Sequence, residues 1–180
     1  MPKLFCACAP KAVFEPCELQ PGLSAKRCTA CRSVLLAMPD YRAWRDQHFS
    51  ELPAVEPAPQ SGREAPSKAR ACPSCGRLMS RYRTGNAESF WLDFCPSCER
   101  VWLDDGEWET LEQSGLAPYL DLILSEAWQK RVQAQRTVSS RDELLRARFG
   151  EDALMEIRRI KAWLAQQPNR RDILTFLAEP

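Results

Sequence analysis

The sequence predicts two small β ribbons, each stapled by a metal ion, followed by an α-helical C-terminal bundle. Three observations carry that expectation. Two Cys-x-x-Cys pairs, Cys72/Cys75 and Cys95/Cys98, are separated by 19 residues. A second set repeats most of this spacing 67 residues earlier, with Cys8, Cys28 and Cys31 matching Cys75, Cys95 and Cys98. The last third of the chain carries apolar stripes at helical spacing between capping residues.

The central stretch, residues 72–113, is the better formed of the two copies. Its interval falls within the window of four-thiolate zinc sites, C-x2-C-x15–20-C-x2-C. Each Cys-x-x-Cys turn sets two sulfurs on one side of the chain, about 2.3 Å from one ion, and the second pair completes a tetrahedron. Gly76 follows the first turn, where a positive φ commonly closes it. The pattern then predicts a strand over 77–83, a turn at Thr84-Gly85-Asn86, and a strand over 89–94 with Phe90, Leu92 and Phe94 on one face. Val101-Trp102-Leu103 reads as a third short strand. Asp104-x-x-Glu107 has the spacing of an Asp-headed capping box, starting a helix to about Gln113. Helix capping therefore accounts for the acidic patch Asp104, Asp105 and Glu107.

Residues 1–49 read as a degenerate copy of that ribbon, with Cys6, Cys8, Cys28 and Cys31 as its ligands. The pair Cys6-Ala-Cys8 is one residue shorter than its counterpart, and no glycine follows it. Cys17 has no match and reads as a small buried hydrophobe or a replacement ligand. Pro39 suits the first position of a helix reaching about Phe49. The only histidine, His48, sits on that helix as a packing or surface residue. Residues 50–71 are rich in Pro, Ala, Ser and Glu without apolar period, which predicts a flexible linker.

Residues 114–180 read as helices. Pro118 opens one carrying Leu120, Ile123, Leu124, Ala127 and Trp128 on a stripe. Ser140-x-x-Glu143 has capping-box spacing for a second, ending at Gly150. A third over 151–167 carries Leu154, Ile157, Ile160 and Leu164, and a fourth after Asn169 carries Ile173, Leu174, Phe176 and Leu177. The stripes predict a bundle core, with a partner-binding groove as the alternative.

The string Cys72-Pro-Ser-Cys75, a hydrophobic hairpin, Cys95-Pro-Ser-Cys98 and then Val101-Trp102-Leu103-Asp104, Gly106 and Glu107 resembles the bacterial TFIIB-type zinc-ribbon (transcription factor zinc-finger) family. The resemblance covers residues 70–112. It implies tandem zinc ribbons if the N-terminal copy belongs too, Zn2+ as cofactor, and a link to transcription. The chain departs from the family at Glu99-Arg100, where a glycine is usual. The N-terminal copy lacks the tail after its last cysteine.

Formal net charge is +1 over 180 residues, which gives no general argument for nucleic acid, a membrane or an acidic partner. No apolar run approaches the roughly 18 residues of a membrane span. The N-terminus lacks a secretory h-region. The expected compartment is the cytoplasm, where nine closely paired cysteines read as metal ligands.

Residues 72–113 hold four basic side chains, Arg77, Arg81, Arg83 and Arg100, against eight acidic ones. A four-thiolate zinc centre adds about −2. Nucleic-acid affinity rests mainly on Lys and Arg neutralising phosphates, so the central ribbon is electrostatically disfavoured for it. Arg77, Arg81 and Arg83 share one face of the first predicted strand and are the candidate nucleic-acid contacts. Offsetting thiolate charge is their competing role.

No Ser/His/Asp or Cys/His catalytic set can be assembled, so the chain reads as no enzyme. Closed four-thiolate sites leave no open coordination position. Phe90, Trp91, Phe94, Trp102 and Trp108 exceed what one ribbon can bury, so they either pack on the helices or form an interface. The leading expectation is a non-enzymatic zinc-binding protein-interaction module, an adaptor in a transcription-related or other cytosolic assembly. The alternative is a transcription-associated nucleic-acid binder. A thiol redox or zinc-release sensor ranks third, because Cys-Pro-Ser-Cys looks like a thioredoxin-type pair but lacks its βαβ setting.

Overall fold

The computed structural model describes residues 4–58 and 69–178, and the chain divides into two units, Met1–Arg136 and Thr137–Pro180. In the first unit β1 (Phe14–Gln20), β2 (Leu23–Cys28) and β3 (Val34–Ala37) lead into helix α1 (Met38–His48). The second half repeats the plan with β4 (Ser80–Arg83), β5 (Trp91–Cys95), β6 (Arg100–Leu103) and helix α2 (Glu107–Gln113). All six strands join one antiparallel sheet in the order β1-β2-β3-β6-β5-β4.

The order follows from the repeat. Strand β3 pairs with β6 so that Val34 faces Leu103, Leu35 faces Trp102 and Leu36 faces Val101. At an offset of 67 the counterpart of Leu35 is Trp102. The central pair therefore joins a residue to its own equivalent, and each step outward exchanges the two halves. This is the pairing of an isologous dimer, realised within one chain. Helices α1 and α2 obey the same offset, with Tyr41 matching Trp108 and Trp44 matching Leu111, all four buried.

Period-two alternation sends β3 and β6 side chains to both faces of the sheet. Val34, Leu36, Val101 and Leu103 meet Tyr41, Trp44, Trp108 and Leu111 in one core. Leu35 and Trp102 point the other way, into a second core with Phe14, Met79, Cys6, Cys28, Cys72 and Cys95. Helices thus cover one face and the cysteine turns the other. Phe90, Trp102 and Trp108 are buried, and Trp91 and Phe94 are half-buried. Phe90, Phe94 and Trp108 pack on the helix side of the sheet and Trp102 on the cysteine side.

The helices after residue 114 do not share one core. Leu116, Ala117, Leu120, Ile123, Trp128 and Val132 pack into the helix-side core of the sheet. They lie on a 3-10 turn (Ala117–Tyr119), α3 (Leu120–Ile123) and the start of α4 (Glu126–Phe149). Helix α4 runs through Ser140 without a break, so Ser140-x-x-Glu143 caps nothing. The helix is already hydrogen-bonded at that point and has no orphan N–H for a cap to satisfy. Gln129 seals the open edge of β4, accepting from the Arg83 N–H at 3.0 Å and donating to its carbonyl at 2.9 Å. In the second unit, α5 (Glu151–Ala165) buries only Leu154 fully and α6 (Arg170–Ala178) buries nothing fully.

The stretch read as a linker is partly anchored. Residues 50–58 form no helix or strand, yet Tyr119 donates to the Pro53 carbonyl at 2.9 Å and Ala58 N–H donates to Gly85 at 2.8 Å. Residues 59–68 of that stretch lie outside the described residues. Among the described residues no helix is long and apolar enough to cross a membrane.

Candidate metal centres

Two groups of four cysteines could each hold a metal ion: Cys6, Cys8, Cys28 and Cys31, and Cys72, Cys75, Cys95 and Cys98. Within each group all sulfurs lie within 4.8 Å of one another, and none is in a disulfide. Neighbouring sulfurs stand 3.7 Å apart at Cys6/Cys31, 3.6 Å at Cys8/Cys28 and 3.6 Å at Cys75/Cys95. A tetrahedron with metal–sulfur arms of about 2.3 Å has edges of about 3.8 Å. The donor set and its dimensions therefore fit a tetrahedral thiolate metal. Cys17 lies in β1, half-buried opposite Ala25, and belongs to neither group.

Backbone geometry explains how the shorter first pair still closes. In the second group Cys72 N–H donates to the Arg77 carbonyl at 2.8 Å, and Gly76 turns the chain at φ 73. In the first, Cys6 N–H donates to the Ala12 carbonyl at 2.9 Å, and Lys11 takes the left-handed position at φ 66. Three residues follow the shorter pair before the accepting carbonyl, against one after the longer pair, so the whole turn is one residue longer. The second pairs match more closely. Arg32 (φ 63) and Glu99 (φ 47), each directly after its last cysteine, are equivalents at offset 67. A glycine would meet no steric penalty there, which is the physical reason that a non-glycine residue is conspicuous at both places.

The turns also tune the thiols. Burial pushes Cys28 up, but N–H groups of Cys31 and Ala30 directed at its sulfur outweigh this and bring it down to about 7. The backbone N–H of Arg77, helped by the Cys98 thiol, brings Cys75 down to about 7. Burial pushes Cys6 and Cys95 up. A hydrogen bond from Cys98 to Cys75 holds Cys98 up at about 12. An entering cation displaces the protons that the thiols still carry.

Both groups open on one cleft of about 690 Å3, lined by Cys6, Cys8 and Cys31 of the first and Cys72 of the second, with Trp102 and Arg70. Trp102 meets Phe14 edge-on at 5.2 Å, lies 4.2 Å beneath the Arg70 guanidinium and donates to Asp104 at 2.9 Å. Arg70 pairs with the buried Asp93 at 2.8 Å and with Asp104 at 3.0 Å, while Arg81 pairs with Asp93 at 3.1 Å.

Comparison with protein-family models, with curated proteins and with solved structures finds no significant match to this chain.

The three arginines singled out for nucleic acid are placed differently from one another. Arg77 is exposed and donates to Ser97 at 2.6 Å. Arg81 is committed to Asp93, and Arg83 is 4% exposed with its guanidinium 5.1 Å from the Trp91 ring. Asp104 does not head a capping box. Helix α2 begins at Glu107 after Gly106, and Asp104 faces Trp102, Ser33 and Arg70. The other half of the box does form, with Asp104 N–H donating to Glu107 at 2.7 Å. Sequence reasoning missed Arg70, in the stretch read as linker, and Asp93, on the strand face opposite Phe90, Leu92 and Phe94. A carboxylate two residues from Trp91 and from Cys95, on the face opposite Phe90 and Leu92, was the available signal.

Proposed function

We propose that the chain is a non-enzymatic, zinc-binding protein-interaction module made of two TFIIB-type ribbons paired through their third strands. One observation carries this reading. Each site is a closed set of four cysteine sulfurs, with no histidine or carboxylate among the grouped ligands. Four thiolates suit zinc and leave it no open position for substrate or water. Elemental analysis of the folded protein tests it, with two zincs per chain expected. A red, iron-containing protein, or one that is isolated without metal and takes up no zinc, would overturn it.

Support for a protein partner comes from the second unit, since the aromatic residues of the ribbons are largely packed away. Leu144, Phe176 and Leu177 are 72%, 74% and 63% exposed. Large apolar side chains exposed to this degree are what a protein partner would cover. Charges of both signs line these helices, with ion pairs Arg158–Asp142 and Arg159–Glu156. That mixture suits a protein surface better than a polyanion. Replacing Leu144, Phe176 and Leu177 together by Ser should abolish capture of whatever protein the wild-type chain retains. Undiminished capture would remove these helices from the interface. A transcription-related assembly is the setting the ribbon resemblance suggests.

A further inference from the structure

We infer that the two cysteine centres bind metal cooperatively, and that Asp104 is the positioning residue that couples them. The inference rests on the zinc reading of both groups. Its basis is a continuous path between them. From the first centre, Cys28 N–H donates to the Ser33 carbonyl at 2.8 Å, which holds Ser33 against the turn, and the Cys31 sulfur lies 3.3 Å from the Ser33 hydroxyl. The Ser33 hydroxyl donates to Asp104 at 3.1 Å. Asp104 in turn receives both the Trp102 indole N–H and the Arg70 guanidinium, the latter at 3.0 and 3.1 Å on its two oxygens. Arg70 stands two residues before Cys72, and its carbonyl receives the Met79 N–H at 2.9 Å, which fixes the turn carrying Cys72 and Cys75.

The second link is packing. Cysteines of both centres share one apolar core with Leu35 and Trp102, the pair at the local two-fold axis. Metal entering either centre fixes its turn and, through it, the end of β3 or β6. Because those strands pair with each other, the second centre is already ordered when its ion arrives. It then loses less conformational freedom on binding, which makes the coupling positive. Asp104 has no charged equivalent at offset 67, since position 37 is alanine. The carboxylate at the middle of the bridge is therefore an addition to the repeat and not a product of its symmetry.

Zinc titration of the reduced, metal-free full chain, followed by native mass spectrometry, tests this. Two independent sites put at least half of the molecules in the one-zinc form at half saturation, and unequal affinities only raise that share. Between centres of equal affinity a tenfold coupling lowers it to about a quarter. We expect about a quarter for the wild type, half or more for Asp104→Ala, and a value between for Asp104→Asn. Ser33→Ala should move the same way, which provides a second route if Asp104→Ala does not fold. In Cys75→Ser the intact first centre should lose about tenfold in zinc affinity. A wild-type one-zinc share of half or more, together with an undiminished first-centre affinity in Cys75→Ser, would overturn the coupling, and an unchanged share in Asp104→Ala would remove Asp104 from it. Absence of any zinc uptake would instead overturn the proposed function itself, so the two failures are distinguishable.

Discussion

Truncating Trp102 to alanine should nearly unfold the sheet in the absence of metal. The side chain is 4% exposed between the two cysteine groups. Removing a buried tryptophan costs about 3–5 kcal/mol through lost transfer energy and the cavity left behind. Its edge-on contact with Phe14 adds about 0.5–1.5 kcal/mol, and its place beneath Arg70 about 1 kcal/mol. These contributions overlap, so the expected loss is roughly 5 kcal/mol. Total stability for a domain of this size is on the order of 5–15 kcal/mol. Urea denaturation followed by far-ultraviolet circular dichroism, with and without a zinc chelator, measures it. The metal-free variant should show little or no cooperative transition, and zinc should restore one at a lower midpoint than wild type. A loss below about 2 kcal/mol in the metal-free protein would refute the claim that this side chain joins the two halves.

Tyr41→Phe should cost about 2–4 kcal/mol, because its buried hydroxyl donates to the Ala117 carbonyl and accepts from Leu120 N–H, both at 3.0 Å, and each group left stranded costs about 1–3 kcal/mol. A thermal shift no larger than that of a surface substitution would contradict this bridge. Glu107 gives a pH signature. Burial first, with Asp104 and Asp93 adding to it, raises its carboxyl to about 8 against the opposing pull of the Asp104 N–H and Arg70. The folded state holds a proton that the unfolded state releases, so this contribution is complete below about pH 4.5 and is lost as pH rises through 8. At about 1.4 kcal/mol per unit the span is a few kcal/mol. Melting temperature should fall from pH 6 to 9 in wild type and much less in Glu107→Gln, and parallel curves would sink the assignment. Gly85→Ala should cost about 1–3 kcal/mol beyond Gly76→Ala. Both positions have positive φ, but only at Gly85 would a Cβ approach the Val132 side chain to 2.8 Å. Equal losses in the two variants would show that backbone strain alone decides.

Cysteine spacing is legible because metal geometry constrains it directly. The residues that spacing groups are the ones the structure brings within 4.8 Å, including the short pair Cys6-Ala-Cys8. The repeat at offset 67 was also visible, since Val34-Leu35-Leu36 and Val101-Trp102-Leu103 keep their alternation. That these strands pair with each other was not. An offset gives equivalence between segments, and only the register of backbone hydrogen bonds gives an axis. The second buried face escaped for a related reason. Periodicity over residues 90–94 marks Phe90, Leu92 and Phe94 as inward, yet Asp93 is also buried, because Arg70 and Arg81 satisfy its charge. No pattern in a single strand announces partners from elsewhere in the chain. Capping spacing misled at Ser140, where three-residue intervals recur by chance inside a helix already formed.

The order β1-β2-β3-β6-β5-β4 has a consequence for how the chain acquires its structure. Within each half the strand pairings are local, but the join at the centre links residues 34–37 to residues 100–103. Local pairings close faster than distant ones, so each half should form before the halves meet. During synthesis β3 then presents an unpaired edge until β6 emerges, and the edge that completes it can as well come from another molecule. Two chains exchanging halves would reproduce the backbone pairing of the β3–β6 seam. At high concentration, refolding from denaturant should therefore yield interlocked dimers alongside monomers, with the β3–β6 seam as the point of exchange.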